Sequence, residues 1–218
     1  MTKMSVTVDF HYDFGSPNAY FVHRVIPEIA LRTGADFNYV PVLLGGVFKA
    51  TGNQAPMLAF AGVPSKLAYQ RKEIERFIAR HKLTAFRMNA HFPVNTLQLM
   101  RLAVAAEAEG VAPAYIEAMF AGMWEKSLKL DDPAVIAATL AEAGLDGEKL
   151  MARAQTHEIK AKLAANTEAS VKRGTFGIPT MFVGDEMWFG KDTLRDVEEA
   201  IVHAQQSEAE AEPVRELP

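Results

Sequence analysis

The chain has 218 residues, 49% of them hydrophobic and 23% charged, with no cysteine and a formal charge of −4. Such a length fits one domain, or one domain carrying a large insert, and the composition is that of a soluble folded protein rather than a disordered, fibrous or membrane one. The lack of cysteine excludes disulfide scaffolds, zinc ribbons, cysteine hydrolases and dithiol exchange, and the lack of net positive charge leaves no global field for nucleic acid or an anionic membrane.

The opening MTKMSVTVDFHYDF is interrupted by polar residues too often for a signal peptide, and no later run approaches the ~20 apolar residues of a membrane span. The expected compartment is the cytoplasm. From Val6 to Phe14 the chain alternates, with Val6, Val8, Phe10, Tyr12 and Phe14 on one face and Thr7, Asp9, His11 and Asp13 on the other, which predicts a strand. Gly15-Ser16-Pro17 ends it, serine being a preferred N-cap and proline being preorganised for the first helical position. A helix is predicted to about Arg32, stopped by Gly34, and Asp36 to Val42 reads as a second strand, giving a parallel, right-handed β-α-β unit.

Leu43 to Pro64 is rich in Gly and Pro and has neither period, which predicts a loop long enough to be a place for ligand contacts. From Ser65 to Gly174 nearly everything reads as helix: Asn95 opens one that stops at Gly110, Pro113 starts another through Trp124, and Asp132-Pro133 starts a third that stops at Gly144. Ile116, Met119, Phe120, Met123 and Trp124 share a face and read as core. Lys72, Arg76 and Arg80 lie four apart and read as a solvated face relieved by Glu73 and Glu75. Thr180–Val183 and Met187–Phe189 around Gly184-Asp185 predict a hairpin, Asp192 starts a last helix with Leu194, Val197 and Ile201 on one face, and SEAEAEPVRELP reads as a frayed tail. The order β-α-β, helices, β-β-α predicts an α/β fold: a thioredoxin-like domain (1–64 and 175–218) with an all-helical domain (65–174) inserted between its halves.

Several chemical signatures are missing. No G-x-G-x-x-G follows a strand, GDEMWFGK is one residue too long for a phosphate loop, FGSPN lacks a hydrolase elbow, and the six histidines are not spaced as metal ligands. Ser16 has two readings, a plain helix cap or something more. In a thioredoxin topology the first helix N-terminus is the reactive spot, where free N–H groups and the helix dipole favour a thiolate. A serine hydroxyl there does no redox work, but it can donate to a thiolate that another molecule brings, and glutathione is the expected one. Ile178-Pro179 precedes the third strand; base rates favour a trans bond, whereas the topology favours cis, with the Ile178 backbone pairing to an extended thiol peptide. Gly190-Lys191-Asp192-Thr193 reads as an Asp cap, or as a cap that also receives an α-amino-acid end, the lysine drawing its carboxylate and the aspartate its ammonium.

VDFHYDFGSPNAYF, LLGGVFKATGN, HFPVNTLQLMR and FGIPTMFVGDEMWFGKD together resemble the 2-hydroxychromene-2-carboxylate isomerases and the related kappa-class glutathione transferases, over residues 6 to 203. The resemblance implies a thioredoxin domain with a helical insert, a homodimer, and glutathione as cofactor. It implies that Ser16 contacts the glutathione sulfur, that Ile178, beside Pro179, pairs with the cysteinyl part, and that Gly190, Lys191, Asp192 and Thr193 hold the γ-glutamyl end. Relatives often carry arginine where this chain has Thr193. Lys49, Asn53 and Phe92 are implied at the second-substrate side. The activity so implied is glutathione-dependent cis–trans isomerisation of an aromatic unsaturated 2-oxo acid in aromatic-compound degradation. The alternatives are conjugation or peroxide reduction of the kappa-class kind, and a non-catalytic protein that binds thiol peptides.

Overall fold

A computed structural model describes residues 5–211, the last four of these through their backbone only. Four strands form one sheet in the order β2-β1-β3-β4, with β1 at Thr7–Tyr12, β2 at Asp36–Pro41, β3 at Thr180–Val183 and β4 at Glu186–Phe189. β1 is parallel to β2 and antiparallel to β3, in a register that sets His11 opposite Thr180. The end of β1 and the start of β3 therefore share one end of the sheet. Helix α1 (Pro17–Thr33) makes the crossover and stops where Gly34 takes a left-handed φ of 72°.

The 43–64 stretch, expected to be a loop, instead contains α2 (Leu44–Thr51) and the single turn α3 (Pro56–Ala59). Tertiary contact overrides two glycines here: Val47 is buried, and a side chain at Gly46 would come within 3.1 Å of the Thr167 methyl, on the helix over His157–Lys172. α4 (Pro64–His81) buries only Phe77 of its length, and its Lys72, Arg76 and Arg80 are exposed. Neither Glu73 nor Glu75 forms an ion pair among the described residues, so the expected relief of that cationic face is not seen. Residues 82–96, expected to be helical, are irregular. Asn89 organises them, its buried amide donating to the carbonyls of Met123 and Leu128 at 2.9 and 2.8 Å.

The remaining helices are α5 (Leu97–Ala108), α6 (Ala112–Trp124), α7 (Pro133–Glu142), α8 (Gly147–Ala154), α9 (His157–Lys172) and α10 (Leu194–Ala211). α10 thus takes in part of the expected tail, whose last residues lie outside those described. No described helix is long and apolar enough to cross a membrane. The stripe of α6 is core as expected, and Phe120 packs on Tyr12 and Phe14 while the fully buried Trp124 donates from Nε1 to the Phe14 carbonyl at 2.9 Å.

Both faces of β1 are covered. Its apolar face meets α1 and α6, and its polar face meets α9, where His11 Nδ1 lies 2.7 Å from Ser170 Oγ. Only 3% of His11 is exposed. Burial, assisted by the charge of Arg173 and opposed by that of Asp9, lowers its pKa to about 4. The unfolded chain binds a proton on this residue below about pH 6.5 and the folded chain refuses it until about pH 4, so stability falls as pH drops through that window, by up to ~3 kcal/mol. Chemical denaturation of the parent protein at pH 7, 5.5 and 4.5 should show this loss, and His11→Asn should flatten it; parallel profiles would contradict the assignment.

Candidate active site

The chain leaves β1 through Asp13-Phe14-Gly15 and enters α1 at Ser16, whose backbone is extended (φ −99°, ψ 114°) as an N-cap requires. Asp13 closes this turn twice: its carbonyl accepts the Ser16 N–H at 3.1 Å and its Oδ1 accepts the Gly15 N–H at 2.8 Å. The Ser16 hydroxyl accepts from the Ala19 N–H at 3.2 Å and donates to the Ile178 carbonyl at 2.9 Å. The expected helix cap is present, and the same hydroxyl faces the third-strand turn, its one proton given to the Ile178 carbonyl.

The Ile178-Pro179 bond is cis. Around it, Thr180 Oγ1 donates to the Gly177 carbonyl at 2.8 Å and the Gly190 N–H donates to the Pro179 carbonyl at 3.0 Å, tying the entry of β3 to the exit of β4. Gly177 permits a close approach, since a Cβ there would stand 2.8 Å from the Phe189 ring. Phe189 and Phe176 lie with ring centres 4.6 Å apart and stay 40% and 39% exposed, an aromatic pair beside the Ile178 backbone. Asn53 reaches the same segment, donating from Nδ2 to the Phe176 carbonyl at 2.8 Å.

Lys49 stands exposed in the last turn of α2 with no hydrogen bond or ion pair among the described residues. Phe92 is half-buried against Trp124, ring centres 5.9 Å apart, and Trp124 in turn donates to the Phe14 carbonyl.

Lys191 is 4% exposed. Its ammonium is held by both carboxylate oxygens of Asp192 at 2.6 Å and lies 5.2 Å from the centre of the Phe77 ring. Asp192 is therefore not the helix cap the sequence suggests: it sits inside a 3₁₀ turn over Lys191–Thr193, with its carboxylate turned onto the neighbouring lysine, and α10 starts only at Leu194. Thr193 closes that turn from Oγ1 to the Gly190 carbonyl at 3.0 Å. A cavity of about 180 Å³ beside this turn is lined by Phe77, Arg80, His81, Lys191 and Arg195, among others. A larger one of about 430 Å³ lies apart from Ser16, between β2, α5 and α6.

The structure thus brings Ser16, Ile178, Pro179 and Gly190 into one hydrogen-bonded group with Asn53 at its edge, and leaves Lys49 and Phe92 outside it. Three participants carry no local signal: Asp13 reads as part of the strand's polar face, Phe189 reads as the end of the hairpin, and Phe176 stands in the FGIPTMF stretch with no role of its own. Near the site two polar atoms are buried without a partner, Asn18 Oδ1 in the first turn of α1 and Thr175 Oγ1.

A model of the DsbA-like thioredoxin domain matches residues 7–202, and the chain belongs to that family. It is 28% identical over 197 residues to a 2-hydroxychromene-2-carboxylate isomerase of Pseudomonas putida, covering 89% of this chain and 93% of that protein. A solved 2-hydroxychromene-2-carboxylate isomerase superposes with a TM-score of 0.80 at 26% identity, over 95% of this chain and all of that one. The human glutathione S-transferase kappa 1 is 25% identical over 214 residues, covering 89% of this chain and 90% of that protein. These 218 residues hold no cysteine, so the helix N-terminus that could carry a thiol presents Ser16 instead.

Ser16→Ala removes a cap, at about 1 kcal/mol, and leaves the buried Ile178 carbonyl without its donor, at a further ~1 kcal/mol. Denaturant unfolding should show a loss of about 2 kcal/mol with an unchanged far-ultraviolet spectrum. A loss below about 0.5 kcal/mol would mean that neither bond contributes in solution.

Proposed function

We propose that the protein is a glutathione-dependent cis–trans isomerase of an aromatic unsaturated 2-oxo acid of the 2-hydroxychromene-2-carboxylate type, working in the cytoplasm as a homodimer in aromatic-compound degradation. The observation that carries the reading is the Ser16 hydroxyl at the N-terminus of α1, hydrogen-bonded to Ile178 beside a cis proline in a chain without cysteine. The names of the relatives support it.

The residues present suit glutathione. In the first turn of α1 Pro17 has no N–H and Ala19 and Tyr20 donate to Ser16, which leaves the Asn18 N–H for an anion, and the buried Asn18 Oδ1 is an acceptor for which the described residues supply no donor. The paired Lys191 and Asp192 match an α-amino-acid end, each charge exchanging its present partner for the ligand's opposite one. Bound there, glutathione would supply a thiolate that adds reversibly to the electrophilic alkene carbon, leaving a single bond free to rotate.

Ser16 has one hydroxyl proton, and it serves the Ile178 carbonyl. A peptide N–H of the ligand pairing with that carbonyl replaces the donor and releases the hydroxyl toward the sulfur. The Ala19 N–H keeps the oxygen in place throughout. Lys49, which has no hydrogen bond or ion pair among the described residues, would have to reach in from α2, outside the hydrogen-bonded group, to stabilise oxygen charge developing on the 2-oxo acid. Asn53 is committed to the Phe176 carbonyl and holds the α2–α3 connection beside the site.

An isomerase returns its thiol at every turnover, whereas a transferase consumes one thiol per product. Incubation with 2-hydroxychromene-2-carboxylate and substoichiometric glutathione, following substrate spectrum and free thiol together, should give many turnovers with thiol conserved. Thiol lost in step with substrate would instead support the kappa-class activity, and no turnover with glutathione bound would support the thiol-peptide binder.

A further inference from the structure

Asp13 is wholly buried and has no cation within ion-pair distance among the described residues. Its carboxylate is satisfied by two main-chain donors from different parts of the chain. Oδ1 takes the Gly15 N–H at 2.8 Å and Oδ2 takes the Leu44 N–H at 2.8 Å. Leu44 is the first residue of α2, so the carboxylate sits at that helix N-terminus, where backbone dipoles favour negative charge. Thr96, the N-cap of α5, stands against the same turn. Burial nevertheless raises its pKa, against the opposing pull of those bonds.

The contact is tight. A Cβ on Gly15 would stand 3.2 Å from the Thr96 methyl and 3.3 Å from Asp13 Oδ1, so turn, carboxylate and helix cap leave each other little room. The same α2 carries Lys49 and leads to Asn53, and the segment entering α5 carries Phe92. A stable core could be built here with an apolar residue more cheaply than with a lone carboxylate. What the carboxylate does that an apolar residue cannot is fix two main-chain donors at defined distances.

We propose that Asp13 is the positioning residue of this site: it locks the Ser16 turn to α2, so that the Ser16 hydroxyl meets the reacting atoms in register. The proposal rests on the isomerase reading. Because Asp13 acts through Ser16 and touches no ligand, it governs the rate at saturating glutathione rather than the affinity for it.

The test is a double-mutant cycle on kcat for isomerisation, with glutathione Kd from calorimetry and the fold from circular dichroism. Asp13→Asn keeps one acceptor but sets an amide N–H against the Leu44 N–H. It should lower kcat at least tenfold while Kd stays within threefold, and in a Ser16→Ala background it should lower kcat less than twofold further. Asp13→Ser keeps one oxygen acceptor in a smaller side chain and brings no amide N–H, and should give a smaller loss, three- to fivefold, that also vanishes with Ser16→Ala; it carries the test if Asp13→Asn fails to fold. Losses that multiply with that of Ser16→Ala, or a kcat within twofold of the parent in both variants, would overturn the proposal. A parent protein that neither binds glutathione nor turns over the substrate would overturn the functional reading, and this proposal with it.

Discussion

The hydrogen bond from the Ser16 hydroxyl to the Ile178 carbonyl joins two turns 162 residues apart, and the arrangement of the site follows from it. The sheet makes it possible. With β1 antiparallel to β3 and His11 opposite Thr180, the exit of the first strand and the entry of the third lie at the same end, which sets the N-terminus of α1 against that proline turn. The helices between the two halves reinforce the same point, Trp124 reaching the Phe14 carbonyl from α6 and Asn53 reaching the Phe176 carbonyl after α2.

Charge around this point is spare. The nearest lysine of the β4–α10 turn is already matched by its neighbour Asp192, and the nearest carboxylate, Asp13, is held by neutral donors. An anion at the start of α1 would be stabilised by the Asn18 N–H and one hydroxyl, short-range donors whose worth depends on position to a few tenths of an ångström. Precision of the turn matters more here than any long-range field, which is consistent with a net charge of only −4.

Most of the frame was legible in the sequence because it rests on periodicity and end signals. The β-α-β unit, the hairpin at Gly184-Asp185 and the cap at Ser16 all come from local rules that the tertiary structure leaves in force. Where tertiary contact decides, the sequence was silent. The polar face of β1 reads as solvent-facing until α9 and α2 are laid over it, burying His11 and Asp13. The 43–64 stretch reads as loop until Val47 and Gly46 find α9. Asp192 has the residue type of a cap, but its adjacent lysine outcompetes the helix for its carboxylate. The candidate site was legible only in its outline: Ser16 and Ile178 are in contact, while the residue that organises their turn was visible in no motif.

The central claim is that the start of α1, with Ser16, stabilises a thiolate that the chain itself does not carry. The most direct measurement is a pH titration of the ultraviolet thiolate absorbance of glutathione bound to the protein. A free thiol has a pKa of about 8.5, and helix-terminal thiols are commonly lowered by a unit or more. The account predicts a bound thiol lowered by about two units, with Ser16→Ala moving it back toward the free value. A bound thiol that titrates as it does in free solution would contradict it.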